Sequence, residues 1–174
     1  MTDSARRRPA PDEYFEYYDT YIRLVPDGDI IDILKEQLAS SVACFRTIPE
    51  EKTDFRYAPG KWSTKEVIGH MIDAEWVFTS RALWFARGDR QQLPGMDQDE
   101  FMAGANFGER ELSSLIEEYR HLRGAGIALF GSFGEEILDR AGNASGYDFT
   151  VRSFAYIIAG HERHHLEVLK ERYL

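Results

Sequence analysis

Thiol chemistry is almost absent from this chain of 174 residues, which holds a single cysteine, Cys44. A lone cysteine excludes a disulfide framework and a thiolate metal cage, and it suits a reducing compartment such as the cytoplasm. Long apolar runs are also missing, since no segment reaches the ~18 consecutive apolar residues of a membrane span. Basic residues are in deficit, with 21 Lys plus Arg against 30 Asp plus Glu and a net charge of −9. Such a field repels phosphate backbones and anionic headgroups, so neither nucleic acid nor a membrane surface is an expected partner. The arginines at positions 6–8 precede no hydrophobic run, so the N-terminus does not read as a signal peptide. No repeat, heptad array or low-complexity tract occurs, and strand-like alternation is not sustained anywhere.

What is present is helical periodicity. All six prolines fall before residue 95, where periodic stretches start or have ended. From Ile30 the apolar positions Ile31, Leu34, Leu38, Val42, Phe45 and Ile48 step by three or four and stop before Pro49. Ser63-Thr64-Lys65-Glu66 is a capping box that opens a second stripe through Val67, His70, Ala74, Phe78, Arg81 and Trp84. A third helix is expected from about Glu109 to Phe133, and a fourth from near Thr150 to the C-terminus. Four helices of roughly 19 to 26 residues, each with one apolar stripe, describe an all-α four-helix bundle. Between the second and third lies a long connection, about residues 89–108, with a helical turn expected near Asp97–Ala103. Ahead of the first helix, residues 14–21 hold five aromatics. This arm reads as a cover on the bundle surface, a dimer contact or a pocket lid.

Five histidines remain as metal donors, so any site must be built from imidazole and carboxylate. His161-Glu162-Arg163-His164-His165 places His161 and His165 one turn apart, with Cβ atoms ~6 Å from each other on one helix face. The run also matches H-E-x-x-H, in which Glu162 would be the general base of a zinc protease. That reading fails because only nine residues follow His165 and none is a histidine. A third donor must come from upstream, and His70 sits on the inward stripe of the second helix. His121 lies off its stripe and reads as solvated surface; His164, about 100° round the helix from His165, reads as a boundary residue. Three imidazoles from two facing helices leave coordination positions open, the arrangement of a catalytic rather than a closed structural ion. The alternative is three hydrogen-bonded core histidines. Glycine precedes both His70 and His161, at a helix-interior cost of ~1 kcal/mol each, so Gly69 and Gly160 point to a close approach or to room for a bound molecule.

Other candidates carry less. Glu66, Asp73 and Glu162 can orient imidazoles or a water, or equally be solvated surface. Arg81, on an inward stripe, can pair with a core carboxylate or receive an anionic group of a substrate or cofactor. Cys44 has no adjacent general base and reads as a packing residue.

The stretch Lys61-Trp62-Ser63-Thr64-Lys65-Glu66-Val67-Ile68-Gly69-His70 resembles the W-S/T-x-x-E-x-x-x-H opening of helix two in the DinB/YfiT-like superfamily. Ile158 to His165 resembles its C-terminal H-x-x-x-H helix, and Arg81-Ala82-Leu83 with Leu93-Pro94-Gly95-Met96-Asp97 resembles its linking region. The resemblance covers residues 28–174, leaving an arm of residues 1–27 outside. It implies an up-down-down-up bundle, a zinc or nickel ion on His70, His161 and His165, and a homodimer. It also implies a metal-dependent enzyme acting on a small molecule, either a hydrolase using water or a transferase using a low-molecular-weight thiol. The alternative is a non-catalytic, metal-stabilised dimeric bundle acting as a structural or interaction module.

Overall fold

The computed structural model describes residues 7–89 and 91–174. The reading of the N-terminus as no signal peptide falls largely on residues 1–6, outside the described residues. Four long helices dominate: α1 (Ile30–Arg46), α2 (Thr64–Ala86), α3 (Leu112–Gly131) and α4 (Val151–Arg172). Each starts where local chemistry can satisfy free amides. The Asp29 carboxylate accepts from the amides of Ile31 and Asp32 ahead of α1. The expected capping box closes on α2, with the Ser63 amide donating to Glu66 at 2.7 Å and the Glu66 amide to the Ser63 hydroxyl at 3.3 Å. Thr150 caps α4 by accepting from the Ser153 amide. α3 starts three residues later than expected, because residues 107–109 form a separate 3-10 turn and Glu111 is extended.

Pairs of residues fix the helix directions. Phe85 meets Phe154 while His70 meets His161, so α2 and α4 are antiparallel. Trp76 donates to Glu118 and Thr79 lies beside Gly126, so α2 and α3 are parallel. Gln37 donates to the Ala159 carbonyl and Ser41 to Glu162, so α1 and α4 are parallel. The order is therefore up-down-down-up, and the connection between the parallel α2 and α3 must travel the length of the bundle. It carries a short helix, Gln98–Gly104, close to the turn read from the sequence.

One element departs from expectation. Residues 141–150 form a β-hairpin, β1 (Ala141–Ala144) against β2 (Tyr147–Thr150). Ser145 and Gly146 turn it with φ of 56° and 86°, the left-handed pair that a two-residue hairpin loop of type I′ requires. Strands of four residues, one reading Ala-Gly-Asn-Ala, are too short and too small for a visible alternation. Leu93 of the long connection adds to this hairpin, its amide donating to the Asn143 carbonyl at 2.9 Å.

The core has two apolar clusters. One joins Ile31 and Leu34 of α1 to Phe78, Phe85 and Phe154; the other joins Phe45 to Ile68, Leu115, Tyr119 and Leu169. Where they meet, the buried positions turn polar: Gln37, Ser41, Glu75, Arg123 and Glu162. Arg123 reaches Glu75 with two bonds of 2.6 and 2.9 Å and also pairs with Glu162. Tyr119 and Ser41 donate to the same Glu162 carboxylate at 2.8 and 2.5 Å. This network ties all four helices together at one level.

The arm is part of this architecture. Two 3-10 turns and a four-residue helix, Asp19–Ile22, bring Tyr14, Ile22 and Val25 into the first cluster. Gly160 makes that docking possible, since a Cβ there would stand 2.1 Å from the Tyr21 carbonyl oxygen. At Gly69 the neighbour is the Phe107 ring, 2.3 Å from the same imagined atom. Both glycines serve the close approach of a neighbouring segment.

Candidate functional site

His70 rises from the first turns of α2, and His161 and His165 from one face of α4. Because α2 and α4 run antiparallel, these positions fall at the same height and converge. The Nε2 atoms of His70 and His161 are 3.2 Å apart, and those of His165 and His161 are 3.1 Å apart. One donor atom from each residue lies within 4.8 Å of the others. His70 and His161 are 5% and 7% exposed, and His165 is half-buried.

The electrostatics keep all three rings neutral. Burial is the main cause; at His70 the Asp99 charge partly opposes it, and neighbouring imidazoles add to the fall at all three rings. The pKa of His70 falls to about 4 and that of His165 to about 3, while His161 is pushed well below the usual imidazole range. Neutral rings present lone pairs, which metal binding requires. His161 Nε2 faces two other ring nitrogens, and a single ring proton cannot satisfy both. A cation can, and two nitrogens held ~2.0–2.1 Å from one tetrahedral zinc stand roughly 3.3 Å apart. The donor set thus fits a divalent ion.

The surroundings hold this face in place. The Trp62 ring lies 4.8 Å from His70, and the Tyr21 ring lies 5.2 Å from His161 and 5.6 Å from His164. Burial holds the Tyr21 phenol far above its ordinary pKa, so it remains a donor. Above the histidines opens a cavity of about 250 Å³. Tyr17, Tyr18 and Tyr21 of the arm form one wall, Met96 and Gln98 of the long connection another, and Ser145 of the hairpin a third. Arg81 lines the same cavity, 4% exposed, donating to the Pro94 carbonyl at 2.7 Å and to Ser145 Oγ at 3.1 Å.

Other residues singled out from the sequence lie elsewhere. Both carboxylate oxygens of Glu162 are engaged by Ser41, Tyr119 and Arg123 on the core side of α4. Glu66 closes the α2 cap and pairs with Arg56. Asp73 sits toward α3, where burial first and the Glu118 charge second raise its pKa to about 6, partly opposed by Arg110. His121 is exposed, Cys44 is half-buried and unpaired with another cysteine, and His164 is half-buried beside Tyr21. The sequence singles out neither Gln98 nor Ser145, and it leaves the tyrosine-rich arm with three roles, of which lining the cavity is one. The aromatic density of the arm was the available signal; Ser145 had none, because the hairpin was unseen.

Comparison with known proteins agrees with this picture. No curated protein matches the sequence. Among solved structures the fold is similar to YfiT from Bacillus subtilis, described as "a probable metal-dependent hydrolase with an unusual four-helix bundle topology". The TM-score is 0.69 at 16% identity, over 95% of this chain and 91% of that one. A DinB-like protein, YjoA, also from Bacillus subtilis, matches with a TM-score of 0.59 at 18% identity, over 84% and 90%. The mycothiol-dependent maleylpyruvate isomerase matches with a TM-score of 0.65 at 10% identity, over 83% of this chain and 61% of that one. At such identities the likeness is one of fold. The sequence itself is matched over residues 33–169 by the DinB superfamily model, a span that includes all three converging histidines. The winding of the bundle and the sequence match agree: the chain belongs to the DinB superfamily.

Proposed function

We propose that this protein is a metal-dependent enzyme, first of all a hydrolase, with His70, His161 and His165 as the ligands of one divalent ion. The observation that carries this reading is the convergence of the Nε2 atoms of His70, His161 and half-buried His165, with the first two lining the cavity. Zinc or nickel bound there would act as a Lewis acid and bring the pKa of a bound water or thiol toward neutrality. The chain's own groups do the rest. Trp62, Tyr21 and Phe78 shield the imidazoles from bulk water, which strengthens electrostatic interactions at the site. The Tyr21 and Tyr18 hydroxyls, both with raised pKa values because of burial, stay protonated as donors toward a substrate. Glu162 acts at a distance from the chemistry by locking α4 to the other three helices, which fixes the height of His161 and His165.

Size favours water over a thiol. The cavity of about 250 Å³ lies below the ~300–1,000 Å³ of pockets that enclose drug-sized ligands. It suits one small substrate and a water better than a substrate together with a cofactor thiol. The fold likeness to a mycothiol-dependent isomerase motivates the thiol arm of the test. Elemental analysis of the purified protein and of the His161→Ala variant comes first: one equivalent of metal is expected in the former and none in the latter. Turnover of small esters and amides is then measured with and without glutathione, bacillithiol and mycothiol. Thiol-independent hydrolysis lost in His161→Ala supports the proposal. Strict thiol dependence overturns the hydrolase assignment, and metal without any turnover favours the structural module.

A further inference from the structure

Three arginines are almost fully buried among the described residues: Arg81, Arg123 and Arg152. Two of them are neutralised. Arg123 holds Glu75 and Glu162, and Arg152 holds Glu135 and Asp139 with Glu13 close by. Arg81 has no such partner: its guanidinium meets the Pro94 carbonyl, the Ser145 hydroxyl and the Tyr18 hydroxyl, and no carboxylate among the described residues pairs with it. An arginine is rarely buried without a counter-charge, because three neutral oxygens replace only part of its hydration. Arg81 is also the arginine of the three that lines the cavity over the histidines.

The lining gives a second, independent observation. The chain has 30 acidic residues, yet among the described residues neither an aspartate nor a glutamate lines the cavity. Its polar groups are tyrosine hydroxyls, the Gln98 amide, the Ser145 hydroxyl and the two imidazoles, and its one formal charge is positive. Its apolar surface is largely aromatic, from Phe78 and the arm tyrosines.

We propose that the missing counter-charge is the substrate's, and that the cavity takes a small planar carboxylate anchored by Arg81 and Tyr18. The body of the molecule lies against Tyr21 and Phe78, and the group to be transformed faces His70 and His161. Arg81 Nη2 already donates to Pro94 and Ser145, so the remaining N–H groups of the guanidinium would meet the carboxylate in charge-assisted hydrogen bonds, with the Tyr18 hydroxyl beside them. This deepens the assignment of a metal-dependent enzyme and rests on it for the reaction, but not for binding.

The test compares benzoate with its neutral counterpart benzamide by calorimetric titration of the full-length, zinc-loaded protein, repeated after chelation. Benzoate is expected to bind in both states, and benzamide about tenfold more weakly or worse, as loss of a charge-assisted pair implies. Arg81→Met, checked for native circular dichroism, is expected to lose about tenfold or more in benzoate affinity while binding zinc unchanged. The benzoate–benzamide comparison needs no variant, so it decides even if Arg81→Met does not fold. Equal binding of the two probes, no binding of benzoate, benzoate binding only in the zinc-loaded state, or undiminished affinity in folded Arg81→Met each overturns the proposal. Zinc titration is a separate readout, so failure of the metal assignment leaves a different trace from failure of the carboxylate anchor.

Discussion

Gly160→Ala isolates the contact on which the arm depends. The new methyl would stand 2.1 Å from the Tyr21 carbonyl oxygen, 2.4 Å from the carbonyl carbon and 3.0 Å from the Tyr21 Cβ. Ordinary contact needs more than 1 Å of additional separation, and the obstacle is backbone, so no rotamer change relieves it. Packed interiors resist such insertions at about 1–3 kcal/mol, and a backbone clash belongs at the upper end. Against this, alanine gains ~1 kcal/mol over glycine inside a helix. The net expectation is a loss of about 2 kcal/mol, or roughly 4–8 °C of melting temperature for a chain of this size. The alternative outcome for the molecule, release of the arm, exposes Ile22 and Val25, each worth about 1.5–3 kcal/mol of burial. Either route loosens the segment next to exposed Arg23, so tryptic cleavage there should accelerate. Gly124→Ala is the control, because a Cβ at that position of α3 meets nothing within 4 Å and should stabilise by up to ~1 kcal/mol. If Gly160→Ala stabilises the protein like Gly124→Ala and leaves cleavage after Arg23 unchanged, the arm does not dock on α4 as described.

The buried network should respond more strongly. Arg123→Met leaves Glu75 and Glu162 without their cation and should cost about 3–5 kcal/mol in urea denaturation; a loss below about 1 kcal/mol would contradict the network's role. Asp73→Asn tests a pH effect whose sign is fixed. The carboxyl has a folded pKa near 6 against 3.8, so its ionisation opposes folding increasingly as pH rises between those values. The full interval corresponds to roughly 3 kcal/mol, reduced to about 1 kcal/mol by partial exposure. Asparagine should therefore raise the melting temperature at pH 7.5 and have no such benefit below about pH 4; the same gain at both pH values would refute the assignment. Chelation of the zinc-loaded protein should lower the melting temperature by about 5–10 °C when free zinc had stood near a hundredfold above its dissociation constant. His161→Ala should show no zinc-dependent change in the same melts.

The bundle was legible because its signals are local. Stripes at helical spacing, the Ser63–Glu66 cap and the proline boundaries each act within a few residues, and α1, α2 and α4 begin where those signals place them. The histidine convergence was legible for a related reason: His161 and His165 share a helix face whatever the tertiary fold, and His70 lay on another inward stripe. What stayed hidden depends on contacts distant in sequence. Ser145 reaches Arg81 across 64 positions through a hairpin whose first strand is too small and too short to announce itself. From sequence Glu162 reads equally as a group that orients an imidazole or a water and as a surface residue; only the fold brings Arg123 and Tyr119 to it. Gly160 was marked as unusual from sequence, but its neighbour, Tyr21, could only be named from the fold.

The division of labour around the cavity has an evolutionary consequence. The three candidate metal donors stand on the two rigid helices that pack most closely along the centre of the molecule. The groups that would meet a ligand come instead from the arm, the crossing connection and the hairpin tip, apart from Arg81 and Phe78. Connections tolerate substitution and changes of length better than packed helices do. Related chains can therefore exchange their ligand-facing segments and acquire new substrates while the imidazole triad and the polar layer behind it remain as they are.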